Sequence, residues 1–544
     1  MNNLYVFAIG GSGERVMRSL IMLLAAGVKI GAKSITPIFV DNDANSAALT
    51  RCKNLLNYYN ANAQTGVKDG IGTLCQKLNE DKRPSFFQTK IENPIYLDLS
   101  GSEIGDLKTI IGNLSGEKSE IEKNIIEERD LLFSQDDLEM NLTVGFVGNP
   151  NIGSVVLKAL SFSNANFTTI LQNASANDGV IVVGSLFGGT GAAGFPLIIN
   201  SFMQSVEASN RPAVGGVAML PYFDFGSEDK YEKNEKIIDT NRWDVNSDSF
   251  SSKTRAALMY YDDYMKNMDY LYYVGDDMRS MYDHYVGGPK QDNPVHLVEF
   301  LGAVSVIDFS KGTKQQIIQY KLPILDVFAD GTTNHPTVCN VASIKNQDVK
   351  KALVKFQLLR EYFINVKDGF LYHAIDNNQA TTKDIAFDDT MRQACVGKEV
   401  KTIYKDVVNL NTTVNSETQN FQYAWGLNAF FKEWIAWWDD LNGNNAKRKF
   451  SIFPNGSDAA DINSKNITTK FYNNSDYGVA KTKTKTSIFS APKTEPIEPK
   501  IANEVLAAHK KLKWASIPED KKLVVLLKTI SDGLDNVIEN ACDL

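Results

Sequence analysis

Two glycine-rich segments of this sequence follow apolar, strand-like runs and precede helical ones. Gly10-Gly11-Ser12-Gly13 comes after residues 4–9, and Gly188-Gly189-Thr190-Gly191 comes after residues 180–186. A glycine turn between a strand and a helix lets backbone amides approach an anion, and the helix dipole makes that place electropositive. The pattern therefore indicates a phosphate site, although the same glycines would also serve close packing of a helix on a sheet.

Polar side chains follow two further strand-like runs. Asp41-Asn42-Asp43 comes after residues 35–40, and a turn containing Gly148 and Asn149 comes after residues 142–146. Because the carboxyl ends of parallel strands meet at one edge of a sheet, we expect these turns beside the glycine turns. Asn42 and Asp43 would then lie near phosphate and, through water, near a metal ion, or they would simply cap the next helix.

Strands alternate with helices along the first 310 residues, which predicts an α/β fold with a Rossmann-like parallel sheet. Residues 293–309 are apolar nearly all round, so they predict a helix buried at the centre of the structure. The other predicted segments are a helical, charge-rich insert near 60–140, an α+β C-terminal domain at 311–470, a linker at 471–500 and a C-terminal helical arm at 501–544.

The composition excludes several classes of protein. A net charge of −8 argues against broad binding of nucleic acid, and no clear nucleic-acid site is found. No apolar run reaches the roughly 18 residues that a membrane span requires. The five cysteines are scattered without a Cys-x-x-Cys pair, which favours reduced thiols in a cytoplasm, and the five histidines lack metal-ligand spacing.

Taken in order, the turns resemble the nucleotide loops of the tubulin/FtsZ superfamily. Residues 10–13 are similar to its glycine-rich first loop, residues 41–49 to its second, and residues 148–153 to the end of its third. Residues 187–194 resemble its fourth loop and keep the core Gly-Gly-Thr-Gly. Phe187 stands where the family has its first glycine, and one extra small residue precedes Gly194.

Later segments continue the resemblance to about residue 310. Pro-Tyr-Phe at residues 221–223 is similar to the fifth loop, normally Pro-Phe, and residues 269–278 resemble the sixth strand and its exit. The long helix at residues 293–309 then matches the family's central helix. A second Gly-Gly-Thr-Gly turn after a later strand is foreign to dinucleotide-dependent Rossmann dehydrogenases, which makes that class the remote alternative.

The resemblance implies binding of GTP or GDP, with Mg²⁺ held through the phosphates and no separate metal site. It also implies that the start of the central helix, with Asn293 and His296, contacts the base, while a buried structural role for His296 remains equally open. The residues implied to bind nucleotide are Gly10, Gly11, Ser12, Gly13, Asn42, Asp43, Gly148, Asn149, Gly188, Gly189, Thr190, Gly191, Asn293 and His296.

Two functions from different classes follow. In the first, the chain is a GTPase that assembles into filaments, each subunit completing its neighbour's nucleotide site, with Asp326 and Asp330 as catalytic acids. The family's Asn-x-Asp-x-x-Asp loop is absent after residue 309, so these two aspartates could instead simply end a strand, which residues 322–328 predict. In the second, the chain is a non-hydrolysing nucleotide-binding scaffold of a multi-protein bacterial system, with partners at the insert and the C-terminal arm.

Overall fold

A computed structural model gives the structure of this chain. It describes residues 1–60, 70–97, 106–112, 120–140, 142, 145–146, 148–205, 210–225, 247–265, 268–276, 280–283, 288–327, 341, 344–366, 419–442, 482–487, 490–496, 501–513, 516–518 and 521–541.

The chain packs into two compact units, each formed from segments that are separate in sequence. The first unit comprises Met1–Leu20, Ile30–Lys53 and Ile91–Ile324, and the second comprises Ile21–Lys29, Asn54–Lys90 and Leu325–Leu544. Within the part of the chain that the structure describes, no helix is both long enough and apolar enough to cross a membrane.

The strands are short and mostly apolar. They are β1 (Asn3–Ile9), β2 (Ser34–Val40), β3 (Lys90–Ile91), β4 (Ile95–Leu97), β5 (Gly179–Ser185), β6 (Ala213–Met219), β7 (Phe223–Phe225), β8 (Tyr270–Val274), β9 (Ser280–Tyr282), β10 (Gln319–Lys321), β11 (Thr482–Ser487) and β12 (Ser490–Pro496).

The helices alternate with these strands through the first unit. They are α1 (Gly10–Ala25), α2 (Ala47–Tyr59), α3 (Ile71–Gln76), α4 (Leu107–Gly112), α5 (Glu120–Leu132), α6 (Gln135–Leu138), α7 (Pro150–Ser163), α8 (Ala165–Asn173), α9 (Gly189–Ser205), α10 (Phe250–Met265), α11 (Leu297–Ser310), α12 (Pro323–Val327), α13 (Gln347–Val366), α14 (Gln419–Asn442), α15 (Ile501–Lys510) and α16 (Lys522–Ala541).

The main sheet has the strand order β10-β8-β6-β5-β1-β2-β3, with β4 also paired to β2. Pairing is parallel from β10 through β2, in registers such as Val6 with Pro37 and Val6 with Ile181. β2, β5 and β6 are buried along their full length, as expected when both faces of a parallel sheet are covered. The predicted α/β class and Rossmann-like parallel sheet are confirmed.

The chain reverses its direction of progress across the sheet between β1 and β5. From β1 it moves outwards to β2 and β4, and from β5 it moves the opposite way to β6, β8 and β10. Ligands of open α/β sheets bind at such a switch point, outside the carboxyl ends of the strands. Both glycine turns of the sequence leave the sheet at this point.

The buried central helix is confirmed, with a later start than predicted. α11 begins at Leu297, because His296 caps it and Asn293 lies in extended chain before it. Every residue of α11 except Asp308 is buried. The helix packs beside β6, where the ring of Phe309 fills the space left by Gly215.

A buried ion pair ties together the amino ends of β6 and β8. The carboxylate of Asp269, which is fully buried, accepts from Arg211 at 2.7 and 3.2 Å, and also from the backbone amides of Val214 and Gln315, each at 2.7 Å. Because these bonds reach both the start of β6 and the segment that leads to β10, Asp269 fixes the edge strand's connection to the sheet.

Three segments differ from the sequence expectation. The insert near 60–140 is only partly helical, because it also supplies β3 and β4, and β4 joins the main sheet. Residues 322–328 read as a strand, but Pro323–Val327 is a helix, since proline favours the first turn. The expected linker contains the antiparallel pair β11 and β12.

The second unit contains an aromatic core. Trp434, Trp437 and Trp438 of α14 are fully buried. α16, in the predicted C-terminal arm, is joined to α13 by Lys355, whose ammonium group donates to Ser531 at 3.0 Å and Asp535 at 2.5 Å. The remaining domain boundaries stay predictions.

Candidate functional site

The glycine turns after β1 and β5 touch each other. α1 starts at Gly10 immediately after β1, and α9 starts at Gly189 after β5. A Cβ atom built on Gly10 would lie 3.4 Å from Thr190 Cβ and 3.6 Å from the Gly191 amide nitrogen. Gly10 also has a φ of +66°, which favours glycine. The first-turn amides of two helices therefore converge at the switch point.

The third predicted turn joins this pair. A Cβ atom on Gly189 would lie 2.9 Å from Phe146 Cβ and 3.1 Å from the amide nitrogens of Gly148 and Asn149. The third and fourth turns therefore pack directly on each other, which leaves no space for a side chain at residue 189. This contact brings Gly148 and Asn149 to the same place as the two glycine turns.

The second predicted turn lies opposite Thr190, across a glycine that sequence reasoning missed. Gly145 has a φ of +89°, and a Cβ atom on it would lie 3.9 Å from both Asp41 Oδ1 and Thr190 Oγ1. Asp43 is engaged elsewhere, because its carboxylate accepts from the amides of Asn45 at 3.1 Å and Gly288 at 2.5 Å. The four turns thus surround one small region at the edge of the sheet.

Asn42 gives the strongest indication of a ligand site in this region. Its side chain is only 7% exposed, yet neither Oδ1 nor Nδ2 has a hydrogen-bond partner in the part of the chain that the structure describes. Buried side-chain amides are nearly always satisfied, and leaving one unpaired is costly. A polar ligand outside the chain is the simplest partner for this group.

Two buried carboxyl groups lie next to the turns. Burial raises the pKa of Glu14 to about 8, and the negative charge of Asp41 adds to that effect. Burial likewise raises the pKa of Asp41 to about 7, with a further contribution from Asp43. Sequence reasoning missed Glu14, which lies in α1 directly after the first glycine turn.

A second polar cluster lies beside the first turn and was missed by sequence reasoning. Arg15 Nε donates to Glu299 Oε1 at 2.5 Å, and Tyr222 donates to the same oxygen. Ser12 Oγ accepts from Arg15 at 3.2 Å and lies 3.3 Å from the hydroxyl oxygen of Tyr222. Ser12 is therefore tied to this cluster.

The start of α11 is built as a helix cap. His296 is 3% exposed, and its Nδ1 accepts from the Val298 amide at 3.2 Å, while Glu299 Oε2 accepts from the His296 amide at 2.6 Å. Asn293 Oδ1 accepts from Gln291 at 2.5 Å. The structural role proposed as an alternative for His296 is thus present, and base contacts by either residue stay a prediction.

Phe187, the departure from the fourth-loop signature, packs away from the turns. Its ring is 3% exposed and lies 4.7 Å from that of Phe250, 5.5 Å from Phe223 and 6.0 Å from Tyr222, measured between centroids. The aromatic residue therefore contributes to the core beneath β7.

The two proposed catalytic acids come after the residues of the first unit. Asp326 is an exposed residue of α12 and belongs to the second unit. Asp330 lies outside the residues that the structure describes. A catalytic role for either aspartate stays a prediction.

No family model matches the chain, and no curated protein matches it. Among solved structures, CetZ2 from Haloferax volcanii, in a GTPγS-bound protofilament, is similar at 13% identity and a TM-score of 0.26. The match covers 57% of this chain and 58% of that protein. So distant a likeness establishes neither a family nor a function.

A phosphate ester with a cation fits the residues present. The region offers helix amino termini, the hydroxyl of Thr190 and the unpaired amide of Asn42 to an anion. Among the described residues, no three His, Cys, Asp or Glu side chains are grouped to hold a metal ion. A cation here would therefore need ligand oxygens in addition to those of the protein.

Proposed function

We propose that the first unit binds a guanine nucleotide at the switch point between β1 and β5. The observation that carries this proposal is the convergence of the turns after β1, β2 and β5 around Asn42, a buried amide with no partner among the described residues. Phosphate oxygens would accept from the amides of residues 10–13 and 188–191. Thr190 Oγ1 and Asn42 Nδ2 would supply the side-chain donors.

The preference for guanine rests on the order of the turns in the sequence. Loops resembling those of the tubulin/FtsZ superfamily precede a buried central helix, and the start of that helix would meet the base. Asn293 and His296 are the residues proposed to do so. An oxidoreductase with a nicotinamide dinucleotide would use the same strand order, so a nucleotide-selectivity assay with NAD separates the two classes.

We infer further that the chain is a tubulin/FtsZ-like protein that assembles with itself when nucleotide is bound. Hydrolysis would then depend on acids supplied between subunits, for which Asp326 and Asp330 are the candidates. The alternative scaffold would bind nucleotide through the same turns without hydrolysing it. Its partners would bind the insert near 60–140 and the helices of residues 501–544. With either function, the protein would be cytoplasmic.

Assembly and hydrolysis are tested together by sedimentation and phosphate release. We expect purified protein to pellet in GTP with Mg²⁺ but not in buffer alone, with turnover that Asp326→Ala or Asp330→Ala reduces by at least about tenfold, as for loss of a water-positioning group. Glu128→Ala, which removes an exposed carboxylate of α5, is the matched control. Pelleting without turnover would favour the scaffold. Protein that neither pellets nor hydrolyses GTP would contradict assembly.

A further inference from the structure

The carboxylate of Glu14 is only half satisfied. The residue is fully buried, and its Oε2 accepts from Ser46 Oγ at 2.8 Å. Its Oε1 has no hydrogen-bond partner in the described part of the chain. A buried carboxylate oxygen without a donor or a cation is strongly unfavourable, so this oxygen is suited to a partner that the chain itself does not provide.

A second buried acidic residue, Asp41, lies near Glu14. Asp41 is 9% exposed, follows β2 directly and acts on Glu14 through its charge. Arg15, the nearest cation in sequence, is already engaged by Glu299 and Tyr222. Two acidic groups without a dedicated basic partner form an environment for a hard divalent cation.

Asp41 also faces the proposed phosphate site. Its Oδ1 lies next to the position that a Cβ atom of Gly145 would occupy, 3.9 Å away, and Thr190 Oγ1 lies at the same distance from that position. Mg²⁺ typically takes one or two protein carboxylates together with substrate phosphate oxygens and water. The absence of a three-residue metal group among the described side chains agrees with that division of ligands.

We propose that Glu14 and Asp41 directly ligate the divalent cation that accompanies the nucleotide. This inference rests on the proposed function, because phosphate oxygens complete the site. It goes beyond binding of Mg²⁺ through the phosphates, since the protein itself holds the cation. The two carboxylates and the phosphate oxygens would share the cation, so its presence would strengthen binding of the nucleotide.

The test is the effect of Mg²⁺ on release of fluorescent mant-GDP from the full chain. In wild-type protein, chelation with EDTA should speed dissociation by about tenfold or more. In Glu14→Gln the effect of EDTA should fall below about twofold. In EDTA alone, Glu14→Gln should bind mant-GDP at least as tightly as wild type, because without the cation the carboxyl group makes no favourable contact with the nucleotide. Asp41→Asn should behave alike.

The control is Glu128→Gln, an exposed carboxylate of α5, which should keep the wild-type response to EDTA. If both site variants respond to EDTA as wild type does, or if wild type itself shows no response, the cation assignment is overturned while nucleotide binding stands. If wild type binds no mant-GDP in either condition, the proposed function fails first.

Discussion

Glu299→Gln is expected to lower the free energy of unfolding of the first unit by about 3–5 kcal/mol. The carboxylate of Glu299 is fully buried and accepts from Arg15, Tyr222 and the His296 amide. A neutral amide leaves the guanidinium of Arg15, only 7% exposed, without its counter-charge and turns an acceptor into a donor. Burial is the main reason that the pKa of Tyr222 lies well above its ordinary value, and it persists in the variant, so the hydroxyl cannot compensate by ionising.

Hydrogen exchange of amides within Leu297–Ser310, measured in rising urea, reports this loss locally. Asp308→Asn at the other end of the same helix is the matched control, because Asp308 pairs with Lys321 at a half-exposed surface. That control should change stability by no more than about 1 kcal/mol. Replacing Arg15 and Glu299 together by leucine should recover part of the loss. Equal stability of Glu299→Gln and wild type would show that the ion pair does not hold α11.

Trp434→Ala is expected to destabilise the second unit by about 3–5 kcal/mol. The indole is fully buried, its centroid lies 4.5 Å from that of Phe356 and 5.1 Å from that of Trp437, and its Nε1 donates to Gln357 at 3.0 Å. Removing it leaves a cavity among rings that cannot close around it. Trp434→Phe should lose less, because the aromatic volume is largely kept.

Urea unfolding followed by near-ultraviolet circular dichroism measures this effect on the aromatic core. Lys432→Ala, on the exposed side of the same helix, should stay within about 0.5 kcal/mol of wild type. If Trp434→Ala unfolds at the same urea concentration as Lys432→Ala, the aromatic cluster of α14 contributes no more to the free energy of unfolding than an exposed residue of the same helix.

Local patterns in the sequence predicted the sheet and its turns well. The apolar runs before Gly10 and Gly188 form the central strands β1 and β5, because a strand covered on both faces must be apolar throughout. The all-round apolar run before residue 310 forms α11 for the same reason. These features depend on short stretches of chain, so the local periodicity of the sequence predicts them.

Contacts between distant segments were not predictable in this way. Arg15 and Glu299 are 284 residues apart, and neither the pairing nor the role of Tyr222 follows from any local motif. Gly145 was missed because its importance lies in a positive φ and in the approach of Asp41 and Thr190. Pro323–Val327 was misread as a strand because a short apolar run does not distinguish the two structures.

The most direct test of nucleotide binding at the turns is calorimetric titration of GDP with Mg²⁺ into wild type and Asn42→Ala. We expect stoichiometric binding to wild type and affinity about tenfold weaker in the variant, the worth of one hydrogen bond to a charged group. Without nucleotide, Asn42→Ala should be at least as stable as wild type, because it removes an unpaired buried amide. Asn124→Ala on the exposed face of α5 should bind like wild type. No binding of guanine nucleotide, or equal affinities of wild type and Asn42→Ala, would contradict the proposed site.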